Sequence, residues 1–413
     1  MADEDELYSF DDVLDDAKDV LLRIKNWLIR KKMTFLYILI VIAALIAIKG
    51  IWVHSYAHSI GSFETEKKDI LSRRDFLMKK LLVEPDKLID EMPGIVGPQF
   101  QGEWALYSCS MFAKSLANIA ELYPETCAES LAAVDSLISL VISPELRAYD
   151  NARWGEDPLE SLSGDNSHIS YLSHLAWMIS DYKSLGGDGK YDKLYHSLCR
   201  TMNRRILASE NLNLPTYPGE AIYIPDMLVA IVALSEYSKQ YNGKYEPTVQ
   251  QWLTLMKDEC LDSKTGLIPS FMPEYVTHNM YKLKGSYTAL SCYYLSFVDD
   301  DFAAEQYQIM KSLFLKKHPF AGIKEYHDKR CLIGMDIDAG PILFSLSPSG
   351  TAFAIGAATY QGDMTVRKKF LKTAEIAGGT VSFCGRRHYL LADIALVGEA
   401  ITLAMKTSTP AQF

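Results

Sequence analysis

The chain has 413 residues, 48% of them hydrophobic, enough to bury a large core and to allow one to three domains. Its net charge of −10 argues against a nucleic-acid-binding protein, which would present a basic face. The seven cysteines (Cys109, Cys127, Cys199, Cys260, Cys292, Cys331 and Cys384) show no CxxC or tight CxxH spacing, so neither a zinc site nor a dense disulfide framework is expected, and most read as small buried hydrophobes.

Residues 1–32 form a tail that is first acidic (Asp3, Glu4, Asp5, Glu6, Asp11, Asp12, Asp15, Asp16) and then basic (Arg23, Lys25, Arg30, Lys31, Lys32). From Met33 to Ile48 no charge appears, and after Lys49 the apolar character resumes with GIWV. If Lys49 snorkels to the interface, residues 33–53 make a membrane-spanning helix of about 21 residues. The span starts too far from the N-terminus, and lacks the small-residue cleavage site, for a cleaved signal peptide. Positive charge crowded on its N-terminal side keeps that side cytoplasmic, with Trp27 and Trp52 as interfacial anchors. The expectation is a single-pass protein of the cytoplasmic membrane with its main domain outside the cytoplasm, in a Gram-negative bacterium the periplasm.

Beyond it, 54–92 reads as a helical stalk that also supplies an outer helix, 93–406 as the main domain and 407–413 as a C-terminal tail. Two kinds of helix alternate. Segments 103–121 (EWALYSCSMFAKSLANIAE), 168–184, 222–240, 284–298, 340–360 and 387–405 are apolar or small nearly all round, as helices buried on every side must be. Segments 124–142, 187–208, 246–260, 300–317 and 364–376 are amphipathic; in 187–208, Tyr191, Leu194, Tyr195, Leu198, Met202 and Ile206 share one face. The buried helices recur at intervals of about 47–65 residues, each of the first five followed by an amphipathic partner, with 64–91 able to partner the sixth. Six hairpins with a buried inner and a solvated outer member specify an all-α (α/α)6 barrel.

Connections within hairpins are short (YPET, GGDGK, NGKYEP, VDDD, YQGD), whereas those between hairpins are long and rich in Trp, Tyr, Gly, Asp and His. In a barrel these long loops gather at the N-termini of the inner helices, where function concentrates and helix dipoles favour carboxylates and anions. Glu156, Asp157, Asp165, Glu220, Asp226, Asp336 and Asp338 are the carboxylates able to approach that mouth. Two of them in unlike surroundings would separate into a general acid and a general base, and a pair flanking a sugar would hydrolyse a glycoside. Trp154, Tyr217, Tyr223, Tyr275, His168 and Arg387 are candidates to bind substrate, the aromatic rings as stacking platforms. Asp157 before Pro158 and Asp165 before Asn166 equally suit turns or caps, and Asp338 could cap helix 340–360. Arg386, Arg387 and His388 either bind an anionic group or close the barrel. Asp226 stands apart: one turn into an apolar helix, an unpaired carboxylate would be costly. His174, within another buried helix between Leu172 and Leu175, reads by itself as a core histidine. GDGK at 187–190 lacks P-loop spacing, and HExxH, GxSxG and EF-hand patterns are absent, so no metal or cofactor is expected.

WGEDPLESLSGDNSHISYLSHLAWMISDYKSLGGDGKYDKLYHSL, followed by YPGEAIYIPDMLVAIVAL, resembles the linalool dehydratase/isomerase-like domain, a member of the six-hairpin, glycosidase-like (α/α)6 barrels. The similarity is clearest over about 150–270. It implies that His174 stands where the family has the histidine of a GHL stretch, whereas Tyr217 and Asp226 occupy the positions of its two cysteines. That departure argues against linalool chemistry and leaves an acid/base cavity built on Asp226 and His174. The sequence thus supports three functions: an envelope enzyme acting on a C–O bond of a glycan; a non-catalytic binding or assembly component, with envelope protein partners or further copies of itself; and a lyase or hydratase acting on a lipid or isoprenoid.

Overall fold

A computed structural model describes residues 10–94, 97–272, 283–393 and 395–409; the chain forms two compact units, Met1–His58 and Ser59–Phe413. The first is one long helix, α1 (Phe10–Ser59). Within it Ile29–Tyr56 is long and apolar enough to cross a membrane, and nearly all its side chains are exposed, among them Leu39, Val41, Leu45 and Ile48. An apolar helix without a protein core around it is the pattern expected where lipid is the solvent.

The second unit opens with α2 (Phe63–Leu81), whose N-terminus is closed reciprocally: Thr65 N–H donates to Ser62 Oγ (3.3 Å), and Ser62 N–H donates to Thr65 Oγ1 (3.4 Å). After the short α3 (Pro85–Asp90) come α4 (Pro98–Leu122), α5 (Cys127–Ile142), α6 (Pro144–Trp154), α7 (Ile169–Ser184), α8 (Asp192–Ala208), α9 (Ile224–Gln240) and α10 (Glu246–Leu255). Then follow α11 (Gly285–Leu295), α12 (Asp300–Phe314), α13 (Pro348–Tyr360), α14 (Met364–Gly378) and α15 (Leu396–Thr407). The inner helices α4, α7, α9, α11, α13 and α15 each pack on the next, and α15 returns to α4, so the ring closes. α5, α8, α10, α12 and α14 line its outside, and α2, packed on α15 and α4, takes the sixth outer place. The fold is an (α/α)6 barrel.

Burial follows the two patterns of the sequence. Residues 169–182 of α7 are buried without a break, whereas α8 buries the stripe Tyr195, Leu198, Cys199, Met202 and Ile206 and leaves Lys193 and Arg200 exposed. Where α13 meets its neighbours, Gly356 is required: a Cβ there would lie 2.5 Å from Met405 Sδ and 2.8 Å from the Tyr293 ring.

Two expected inner helices start later than their apolar character suggests, and the barrel end carries three antiparallel hairpins instead. These are β1 (Leu315–Lys316) with β2 (Gly322–Ile323), β3 (Ile333–Asp336) with β4 (Gly340–Leu343), and β5 (Thr380–Phe383) with β6 (Arg386–Tyr389). Residues 340–347 do not open helix 340–360; Ser347 caps α13 through the Gly350 N–H (3.1 Å), with Pro348 in its first turn. Likewise 387–389 belong to a strand, and α15 begins at Leu396.

α2 is joined to the end of the chain by buried charges. Arg367 holds both carboxylate oxygens of Glu66 (2.8 and 3.0 Å) and donates to the Lys406 carbonyl. Lys406 Nζ meets Asp69 Oδ2 at 2.6 Å, and Arg73 meets Asp69 (3.1 Å), Glu399 (2.8 Å) and the Thr380 hydroxyl (2.8 Å). Arg387 Nη1 lies 2.9 Å from Asp69 Oδ1. Burial would raise the Asp69 pKa, but Lys406, Arg73 and Arg387 hold it well below its ordinary value. Removing one partner strands a buried charge, so Glu66→Gln or Arg73→Met should cost about 3–5 kcal/mol, read as a lowered urea midpoint with an unchanged slope.

Candidate active site

The barrel mouth holds an acidic group on an aromatic wall. Glu103 and Tyr107 are one turn apart on α4, hence on one face, and with Trp104 they keep accessible surface although α4 is an inner helix, which makes them wall rather than core. Asp226 lies in the first turn of α9 and accepts hydrogen bonds from the Tyr107 hydroxyl at Oδ1 (2.6 Å) and the Thr216 hydroxyl at Oδ2 (2.6 Å). Burial raises its pKa, Asp338 and Glu220 add repulsion, and the two hydrogen bonds oppose the rise. Glu103 is pushed up to about 8, first by burial and then by Asp226, with Arg153 pulling the other way. Burial and the neighbouring Asp226 thus both favour the protonated form of Glu103, while Asp226 is held by two donated hydrogen bonds, so the two carboxyl groups stand in unlike surroundings.

Arg153, near the end of α6, sits 4.2 Å above the Tyr217 ring and bonds Glu220 Oε1 at 2.7 Å. Elsewhere at the mouth Tyr223, Phe271 and Tyr287 pack with ring centroids 5.0 to 6.0 Å apart. Lys284, the residue before α11, grips Asp336 (2.8 Å) and Asp338 (2.5 Å), and these carboxylates raise its pKa despite burial. Buried Glu325 accepts from the Ser286 N–H and hydroxyl, satisfying the start of α11. Only glycine permits this docking: a Cβ on Gly285 would lie 1.9 Å from the Lys324 carbonyl oxygen.

His174 is wholly buried, shares a hydrogen bond between Nδ1 and Ser110 Oγ (2.7 Å), and has its ring 4.3 Å from that of Tyr107. Burial lowers its pKa to about 3, so it stays neutral and supports the tyrosine that holds Asp226.

Other candidates do something different. Asp157 caps a turn through the Leu159 and Glu160 N–H groups and pairs with Arg147 (2.7 Å). Asp165 pairs with Arg204, and Arg205 holds the carbonyls of Ser161, Gly164 and Ser167. His168 is buried with no surface to offer a substrate; its Nδ1 meets Asp150 at 2.5 Å and its Nε2 lies 3.3 Å from Glu156 and Ser161. Trp154 packs on His168 at 5.2 Å. These residues fasten the long loop between α6 and α7. Arg387 is engaged by Asp69, so of the two readings of 386–388 barrel closure is the one its contacts fit. Tyr275 lies outside the described residues.

Glu103, Tyr107, Thr216, Arg153 and Lys284 were not singled out from sequence. Glu103 carries a signal, a carboxylate in an apolar inner helix as at Asp226, and α4 begins at Pro98, so it lies beyond the first turn rather than at the start of the segment 103–121. Among the described residues no group of three or more His, Cys, Asp or Glu side chains is arranged to hold a metal ion.

No protein-family model matches the chain, and no curated protein matches it. Among solved structures it is similar to a family 105 glycoside hydrolase from C. acetobutylicum ATCC 824, with a TM-score of 0.51 and 12% identity over 73% of this chain and 92% of that one. It is also similar to an unsaturated glucuronyl hydrolase specific for heparin, with a TM-score of 0.48 and 13% identity over 81% and 96% of the two chains. The first likeness is one of fold, the six-hairpin, glycosidase-like barrel.

The raised pKa of Glu103 makes a stability prediction. The folded state holds a proton up to about pH 8 that the unfolded chain releases near 4.5, so this contribution is full below 4.5 and lost as pH rises to 8. Glu103→Gln should flatten the decline in urea midpoint measured between pH 5 and 8.5.

Proposed function

We propose that the protein is an acid/base enzyme that cleaves or rearranges a C–O bond in an envelope glycan at the barrel mouth. The observation that carries this reading is a pair of acidic groups in unlike surroundings, Asp226, fixed by hydrogen bonds from Tyr107 and Thr216, and Glu103, whose pKa burial pushes up to about 8. In this scheme Glu103 protonates the leaving oxygen as the C–O bond breaks, and Asp226 takes a proton from the water that attacks the sugar carbon. Tyr223 and Tyr287 keep accessible surface and suit stacking against sugar rings, while Arg153 and Lys284 compensate the surrounding carboxylates. Glycoside hydrolysis by the structurally similar family 105 enzyme agrees with this choice of bond. The linalool dehydratase-like resemblance enters only at His174, whose neutral ring stands behind Tyr107 rather than on a substrate.

In the same proposal Ile29–Tyr56 spans the cytoplasmic membrane. Arg23, Lys25, Arg30, Lys31 and Lys32 keep its N-terminal side in the cytoplasm, so the barrel works outside it, where envelope glycans are found.

The test is turnover of envelope glycan oligosaccharides by the purified full-length protein. Asp226→Asn should lower kcat at least about 100-fold with the far-ultraviolet dichroism unchanged; undiminished turnover would sink the assignment. Glu103→Gln should lower kcat/KM and remove the fall in activity expected of the wild type as pH rises past about 8.

A further inference from the structure

The cations set among the acids of the mouth are engaged by the protein itself. Arg153 Nη1 bonds Glu220 Oε1 at 2.7 Å, and its guanidinium carbon lies 4.2 Å from the centre of the Tyr217 ring and 5.7 Å from that of Phe100. Lys284 is buried, and its Nζ bonds Asp336 Oδ1 (2.8 Å) and Asp338 Oδ2 (2.5 Å) and lies 3.8 Å from Glu325 Oε1. To bind an anionic group, either cation would have to leave a carboxylate behind in the site without its partner. For charges this far from water that exchange is costly.

The balance of charge points the same way. Glu220 neutralises Arg153 one for one, whereas Lys284 faces both Asp336 and Asp338, so its group keeps an excess of negative charge. That excess is felt at the acid pair: beyond the effect of burial, Asp338 and Glu220 raise the pKa of Asp226, and Asp226 and Asp338 raise that of Glu103. A carboxylate or phosphate on a sugar seated there would meet the same repulsion. What the wall offers a ligand instead is aromatic. Tyr223 and Tyr287 keep accessible surface with ring centroids 6.0 Å apart, and Trp104 does so beside Glu103. Such rings match the apolar C–H faces of an uncharged sugar.

We propose that the mouth takes a glycan without acidic groups, and that Glu220 sets this selectivity by holding Arg153 away from the substrate. The inference rests on the acid/base reading of the same site and names its substrate class. Glu220 acts here through Arg153, as a specificity determinant: with the Glu220 carboxylate in place the guanidinium edge is occupied, and without it the same edge would be open to a carboxylate or phosphate on the sugar.

The experiment uses the purified full-length protein in detergent and oligosaccharides released from envelope glycan, separated by anion exchange into uncharged and acidic fractions. Turnover is followed by the appearance of new reducing ends. A portion of the acidic fraction has its carboxyl groups reduced to alcohols, which removes their charge and keeps the linkages. The expected kcat/KM for the uncharged fraction exceeds that for the acidic one at least about tenfold, and carboxyl reduction raises the latter. Glu220→Gln should cut this ratio at least about threefold with the far-ultraviolet dichroism unchanged, and adding Arg153→Met should restore it, which a merely loosened loop would not do. Faster turnover of the acidic fraction, or a ratio that Glu220→Gln leaves unchanged, overturns the inference and leaves the acid/base reading standing. Turnover of neither fraction overturns that reading and the inference with it.

Discussion

The buried ion network around Arg73 and Glu66 is the constraint on which the barrel depends. An (α/α)6 barrel needs six outer helices; α5, α8, α10, α12 and α14 supply five, and the place beside α15 is taken by α2. α2 fills the gap, and beside Ile70, Phe76, Leu77 and Leu81 this highly charged helix buries several of its charges. Its core-facing side therefore carries Glu66, Asp69 and Arg73, matched by Arg367, Lys406, Glu399 and Arg387 from the end of the chain. Hydrophobic burial alone would hold a helix here in several registers; bidentate and shared ion pairs hold it in one.

With the ring closed, the residues of the mouth are held by the helices that carry them. One wall is made by α4 and the first turn of α9, which set Glu103, Tyr107 and Asp226 on helical positions, while loops supply Thr216, Tyr217 and Arg153. The other is made at the start of α11, where Gly285 lets the chain around Glu325 come close enough to seat Lys284 against the β3–β4 ribbon. Polar positions held by helices and a braced ribbon vary less than positions on free loops. That rigidity is what keeps Glu103 and Asp226 in their unlike surroundings.

Most of this architecture was legible in the sequence, because burial leaves a period. α7, α9 and α11 could be read from their uninterrupted apolar character and α8 from its stripe at Tyr195, Leu198, Met202 and Ile206. The hairpins escaped because residues 333–343 are short and apolar, and a short apolar run does not distinguish strand from helix. The site was legible only in part. Asp226 stood out as a charge in an apolar helix, whereas Asp157, Asp165 and His168 share the residue types of a catalytic loop. What separates them from catalysis is their partners, Arg147, Arg204 and Asp150, and partnership across a fold has no local signature. Tyr107 was hidden for the opposite reason: a tyrosine in an apolar helix looks like core.

The same closure dictates an order of assembly. Arg73 meets Glu399, 326 residues later, and Glu66 meets Arg367, 301 residues later. As the chain emerges during synthesis, α2 appears first and its partners last, so for nearly the whole of translation Glu66, Asp69 and Arg73, and the place that α15 takes against α2 and α4, stay open. The first outer helix to be made is the last to be seated, and a ribosome stalled before residue 367 would present the cell with a barrel that has every inner helix but α15 and no seam.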